Sequence, residues 1–98
     1  MEPFNIKIEY HDRDVTLTIL PESDHKGYYK IIYFGGILGA LYFDGEDWVM
    51  VQPEDVIAGD LPLYEPDFKG NHIKLKFTEF LAEQIRHEID LYFDQQML

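Results

Sequence analysis

Hydrophobic positions in the first part of the chain recur at every second residue. Phe4, Ile6, Ile8 and Tyr10 alternate with Asn5, Lys7 and Glu9, and Val15, Leu17 and Ile19 alternate with Thr16 and Thr18. Successive side chains of a strand point to opposite faces, so each run predicts a strand with one buried face. The second run is rich in β-branched residues that fit a pleated surface. His11-Asp12-Arg13-Asp14 between them is polar and turn-like, and residues 21–27 (Pro-Glu-Ser-Asp-His-Lys-Gly) have loop composition.

Two apolar runs of seven residues follow, Tyr28–Phe34 and Ile37–Phe43, joined by Gly35-Gly36. A two-residue Gly-Gly connection suits a hairpin turn that needs positive φ. The predicted pairing sets Phe34 opposite Ile37, Ile32 opposite Gly39, Lys30 opposite Leu41 and Tyr28 opposite Phe43. Asp44-Gly45-Glu46-Asp47 reads as a second turn and Trp48–Gln52 as a fifth strand. One sheet face then carries Tyr28, Ile32, Phe34, Ile37, Leu41, Phe43, Trp48 and Met50. The other carries Tyr29, Ile31, Tyr33, Leu38, Ala40, Tyr42, Val49 and Val51. Gly39 lies in mid-strand, where a glycine makes room for a large neighbour such as Trp48 or a helix residue.

Pro53-Glu54-Asp55 reads as the first turn of a short helix, with proline at its first position and acids favoured by the helix dipole; Gly59 is its stop. Residues 61–68 contain two prolines and read as irregular. In 72–77, Ile73, Leu75 and Phe77 alternate with His72, Lys74 and Lys76, which predicts a sixth strand. From Thr78, a plausible N-cap, the period changes. Leu81, Ala82, Ile85, Ile89, Tyr92 and Phe93 form one stripe at helical spacing, opposite Glu83, Arg86, His87, Asp90 and Asp94. Hairpin-linked strands followed by one long helix imply an α+β fold. The expected architecture is an antiparallel sheet of five to six strands with one C-terminal helix packed on one face, in a single domain over residues 1–98.

One helix covers one face of a sheet whose middle strands are apolar on both. An exposed patch of that size is unusual in a soluble monomer. Three covers are open: the 53–70 segment folding back with Val56, Ile57, Leu61, Leu63, Tyr64 and Phe68, a second copy of the chain, or another molecule in a groove. Phe80, Leu91 and Leu98 lie off the main helical stripe; fraying and end-packing explain Phe80 and Leu98 most simply, and a single exposed leucine such as Leu91 is ordinary.

Composition narrows the chemistry. With 98 residues, 46% of them apolar and 15% aromatic, the chain fits one small domain and not a disordered acidic tail. The lack of cysteine excludes disulfides, cysteine–zinc sites and thiol catalysis. A net charge of −11 repels nucleic acid and anionic membranes. The chain opens on Met1-Glu2-Pro3 with neither the basic start nor the apolar run of a secretory signal. Its longest nearly uncharged run, 31–43, falls short of the ~18–20 apolar residues of a membrane span. A cytoplasmic location is expected.

The charge is also localised. No lysine or arginine occurs between Lys30 and Lys69, an interval holding Asp44, Glu46, Asp47, Glu54, Asp55, Asp60, Glu65 and Asp67. Such a band either shields an aromatic sheet from self-association or steers a basic partner.

The search for a reactive site is negative. Ser23, the sole serine, precedes Asp24 and His25 in a loop, and a triad is a spatial arrangement, not a sequence run. Glu83, His87, Asp90 and Asp94 share a helix face, but Arg86 among them can pair with Glu83 or Asp90, so no metal site is expected. Asp44–Asp47 lacks the spacing of a calcium loop. Gly35-Gly36 has no helix after it to cradle phosphate. Tyr29, Tyr33 and Tyr42 lack the basic residues of a base-stacking platform. No catalytic residue and no cofactor is expected.

Tyr28-Tyr29-Lys30-Ile31, Gly39-x-Leu41 and Asp44-Gly45-x-x-Trp48 resemble the middle of small uncharacterised bacterial domains built from β-hairpins and a C-terminal helix. The resemblance covers the central third of the chain and implies no activity. The expectation is a non-enzymatic domain that works by protein–protein contact, as a homodimer or as a regulator or inhibitor. Its contact residues would be Tyr29, Tyr33, Tyr42 and Trp48 with Asp44, Glu46, Asp47, Glu54 and Asp55. The alternative is a small-ligand module using the tyrosine face or the space over Gly39.

Overall fold

The alternating runs form strands β1 (Phe4–Tyr10), β2 (Arg13–Pro21), β3 (Tyr28–Tyr33), β4 (Gly36–Phe43) and β5 (Trp48–Val51). A 3₁₀ turn (Pro53–Asp55) and helix α1 (Glu79–Gln96) follow. The structure is a computed structural model that describes residues 2–56, 61–65 and 74–96. The strands make one antiparallel sheet in the order β1-β2-β3-β4-β5, and α1 packs on one face of it. The fold is α+β, as the hydrophobic periods imply.

Burial of the first hairpin follows the alternation. Phe4, Ile6, Ile8, Val15, Leu17 and Ile19 face the helix and are buried. On the opposite side Thr18 Oγ1 donates to Asn5 Oδ1 across the pair, at 2.8 Å. The β1–β2 turn is the two residues His11 (φ 50°) and Asp12 (φ 63°), which match the positive-φ geometry that the strand twist favours. In α1, Leu81, Ala82, Ile85 and Ile89 are buried, with Tyr92 and Phe93 packed beside them. Tyr92 stacks flat on Phe4 at 3.8 Å between ring centroids. Thr78 caps the helix: its Oγ1 accepts from Leu81 N at 3.3 Å and its carbonyl from Ala82 N at 2.9 Å.

The central hairpin departs from the expected register. Its turn is Phe34-Gly35, with φ of 49° and 74°, not Gly35-Gly36. Gly36 already belongs to β4, opposite Tyr33, and Ile32 pairs with Ile37. The reason lies beyond the hairpin. Ile37 N donates to Pro62 O (2.8 Å) and Tyr64 N to Ile37 O (2.9 Å), so the 62–64 segment runs alongside β4. A Cβ on Gly36 would stand 2.6 Å from Tyr64 Cα. The glycine is needed in the strand, and Phe34 takes the left-handed turn position.

A bulge at Leu38 then lets Ile31 pair with Gly39, Lys30 with Ala40, Tyr29 with Leu41 and Tyr28 with Tyr42. One extra residue reverses the faces of everything after it relative to β3. Leu41, Trp48 and Met50 join Tyr29, Ile31, Tyr33 and Leu38 on the helix side. Tyr28, Ile32, Ile37, Ala40, Tyr42 and Val51 lie on the other.

That second face is covered at its centre by the chain itself. Val56 and Leu61 pack on Tyr28, Ile37 and Ala40. The chain then passes the edge of β4 at Leu63 and returns to the helix side, where Tyr64 packs against the main core. Ile57 and Phe68, also expected in this cover, lie outside the described residues, as do His72 and Ile73.

The described part of the expected sixth strand, 74–77, joins no ladder. Its alternation has another origin. Leu75 and Phe77 are buried and Lys74 and Lys76 exposed because the segment lies across the helix-side face of the sheet. Leu75 N donates to the Tyr64 hydroxyl at 3.3 Å. Phe77 fills the space over Gly39, where a Cβ would fall 2.3 Å from the ring.

Candidate protein-binding surface

The four aromatic candidates do not share a surface. Tyr33 is buried under the helix side, edge-on to Tyr64 at 5.1 Å. Tyr29 is half-buried on the same side, 5.8 Å from both Trp48 and Phe93. Burial pushes both phenols above their ordinary pKa, with the Asp90 charge adding to the effect on Tyr29 and Tyr64 adding to that on Tyr33. Tyr42 lies on the opposite face, 4.8 Å from His25 and 6.1 Å from Tyr28. The bulge separates it from Tyr29 and Tyr33 and places Trp48 with them instead.

The acidic candidates do gather at one side of the sheet. Asp44, Glu46 and Asp47 form the β4–β5 turn, and Glu54 and Asp55 the 3₁₀ turn after β5; all five are exposed. The first turn is built by its own carboxylate. Asp44 Oδ1 accepts from Asp47 N (2.8 Å) and Glu46 N (2.9 Å), and these two donors hold the carboxyl below its usual pKa. Gly45, at φ 105°, supplies the backbone conformation between them. Asp60 and Asp67 lie outside the described residues.

Apolar residues at this side stay in contact with solvent: Phe43 and Val49 are 39% and 43% exposed, and Trp48, 5.2 Å from Phe43, is half-buried, as are Met50 and Val51. Alternation places Phe43 and Val49 on sheet faces, and nothing in the sequence marks them as surface residues. The nearest signal for them in the sequence is the shortness of the expected strand Trp48–Gln52 between two acidic segments.

A cleft of about 450 Å³ separates β5 from the start of α1, with Leu41, Trp48, Val49 and Met50 on the sheet side and Glu79, Ala82, Glu83 and Arg86 on the helix side. Arg86 is already engaged, by Asp90 at 2.9 Å and Glu83 at 3.3 Å. Among the described residues no group of His, Asp and Glu is arranged to hold a metal ion. A second cleft, about 290 Å³, lies where Phe34–Gly36 meets Pro62–Glu65. Its walls include Phe34 and Leu63, 69% and 46% exposed.

Lys30 is a further charged feature, one that periodicity did not reveal. It is only 6% exposed on the second face, and its Nζ meets Glu22 Oε2 at 2.9 Å. Hydrogen bonding to Lys30 and its charge hold the Glu22 carboxyl below the usual range.

No described helix is long and apolar enough to cross a membrane. Comparison with protein-family models, curated proteins and solved structures finds no match to this chain.

Proposed function

We propose that the chain is a protein-binding domain without catalytic chemistry, whose contact surface is the acidic side of the sheet around β5. The observation that carries this reading is the pairing of exposed apolar side chains, Phe43 and Val49, with five exposed carboxylates at the two ends of one short strand. Burying the apolar residues supplies affinity, and the surrounding charge selects and steers a basic partner. Lys30, the nearest lysine before these acids in the chain, is buried on the second face and held by Glu22, so it does not offset their charge. The tyrosine face and the space over Gly39 support a small ligand less. Phe77 occupies the space over Gly39, and the three tyrosines are split between faces.

The test is capture of partners from native lysate by the full chain and by a variant with Glu46, Asp47, Glu54 and Asp55 all changed to lysine. A specific band that the wild type retains and the variant loses, and that fades with added salt, supports the reading. Equal capture by both chains refutes it. Light scattering on the purified chain separates self-association, which would give a dimer mass at micromolar concentration.

A further inference from the structure

β5 is the last strand of the sheet, so its outer edge has no partner among the described residues. The ladder pattern shows which groups are left open. Phe43 N donates to Gly27 O, on the side of β4 away from β5, and Asp44 N donates across the turn to Asp47 O at 3.1 Å. Phe43 and Trp48 are therefore a non-hydrogen-bonded pair, and the alternation of antiparallel pairs makes Leu41 and Met50 another. The N–H and C=O groups of Trp48 and Met50 point outward from the sheet. An open, apolar edge of this kind is a template for another strand.

We propose that the partner segment binds as an extended strand added to β5, with an apolar side chain in the cleft against Trp48 and Met50 and basic side chains on the surrounding acids. This rests on the protein-binding reading above and names its mode and the chemistry of its partner. Two observations select the occupant. The cleft has a sheet-side floor of Leu41, Trp48 and Met50, and its helix rim bears Glu79 and Glu83 against the single cation Arg86, which Glu83 shares with Asp90, so the rim stays net negative. The strand edge is also bracketed by Asp44, Glu46 and Asp47 at one end and Glu54 and Asp55 at the other. A second copy of the chain meets repulsion here. Antiparallel pairing of two β5 edges sets the acids before one strand against the acids after the other, and like charges so placed disfavour association. A segment alternating apolar and basic residues satisfies both the cleft and the charge.

The probe is a capped peptide of alternating valine and lysine, titrated into the full chain at low salt. Its control is the same peptide N-methylated on alternate amides, which keeps the charge and removes backbone donors. Trp48, the sole tryptophan, reports coverage of the edge by its emission, and hydrogen exchange reports the Trp48 and Met50 amides. The expected result is a blue shift, slowed exchange at those two amides, and roughly tenfold weaker binding of the N-methylated peptide for the loss of one or two net hydrogen bonds. A Glu79→Lys/Glu83→Lys variant with unchanged thermal unfolding should also bind the unmodified peptide more weakly. Equal binding of both peptides without amide protection overturns strand addition and leaves the acidic contact surface standing. No binding of either peptide overturns both. A dimer mass with Trp48 and Met50 amides protected before any peptide is added assigns the edge to a second copy and overturns the proposal.

Discussion

Gly39 shows what a single residue position can carry in a small core. A Cβ there would overlap the Phe77 ring, which is itself buried, so the ring would have to shift within the core. Gly39→Ala should therefore cost ~2–3 kcal/mol, the upper part of the range for overpacking a core. Phe77→Leu in the same chain should recover part of that loss, and urea unfolding of the two single variants and the double variant measures the coupling. Additive costs would mean that the two residues do not share the space. The buried pair on the other face predicts an asymmetry. Lys30→Met leaves Glu22 able to turn to solvent, since the Glu22 side chain is 23% exposed. Glu22→Ala leaves without its partner the ammonium group of Lys30, whose side chain is only 8% exposed. The second variant should be the less stable by ~1–3 kcal/mol, because an unpaired buried polar group bears its desolvation cost uncompensated. At this scale the sequence revealed that Gly39 makes room but not for what: Phe77 reads as a strand residue from its neighbours, and only the path of the chain puts it on the glycine. Lys30 gave no signal, since its partner comes from a loop.

At the scale of elements, period located five strands and the long helix but misread 74–77, and it did not give the register. The five strands and the helix stand close to where hydrophobic spacing and capping residues put them, but the short helix expected from Pro53 to Gly59 is a 3₁₀ turn with Val56 already extended, and 74–77 makes no strand. Thr78 is the clearest case, a hydroxyl one residue before α1 and three before the first residue of its apolar stripe. Thr78→Ala should destabilise the fold by ~1 kcal/mol, while Thr78→Ser stays close to wild type. Thermal unfolding followed by far-ultraviolet circular dichroism checks both, and an unchanged midpoint for Thr78→Ala would show that the 3.3 Å contact to Leu81 N contributes nothing. The central hairpin shows why register was hidden. Gly35-Gly36 is good turn sequence, but Gly36 is held in β4 by the close passage of Tyr64, a constraint from 28 positions along the chain. The bulge that follows moved Tyr42 away from Tyr29 and Tyr33, so the aromatic part of the candidate surface was misgrouped. The acidic part was legible because charge in turns does not depend on strand parity.

For the molecule as a whole, the −11 charge and the few carboxylates with defined partners act in opposite directions as pH falls. Crowded negative charge opposes the compact state, so partial neutralisation from pH 7 toward about pH 5 should raise stability. Glu22 and Asp44 work the other way, since their folded pKa values lie below the usual carboxylate range. A group with a depressed folded pKa contributes stability that is present above its unfolded pKa and is lost as pH falls through its folded pKa. The urea midpoint should therefore rise on mild acidification, pass through a maximum just above the carboxylate range, and then fall. Glu22→Gln separates the two limbs. It keeps a hydrogen-bond acceptor beside Lys30 but removes the titrating carboxylate, so the acid limb should become shallower while the rise between pH 7 and about pH 5 persists. Added salt should raise the midpoint at pH 7 and do so less at the maximum, because it screens the same exposed repulsion that acidification removes. An acid limb of equal slope in wild type and Glu22→Gln would show that the Lys30 pair does not contribute to the pH dependence, and a midpoint at pH 7 indifferent to salt would show that the acidic band does not strain the fold. The second result would bear on the binding surface as well: carboxylates that cost the free domain stability are relieved when a basic strand lies along β5, and that relief adds to the affinity of the complex.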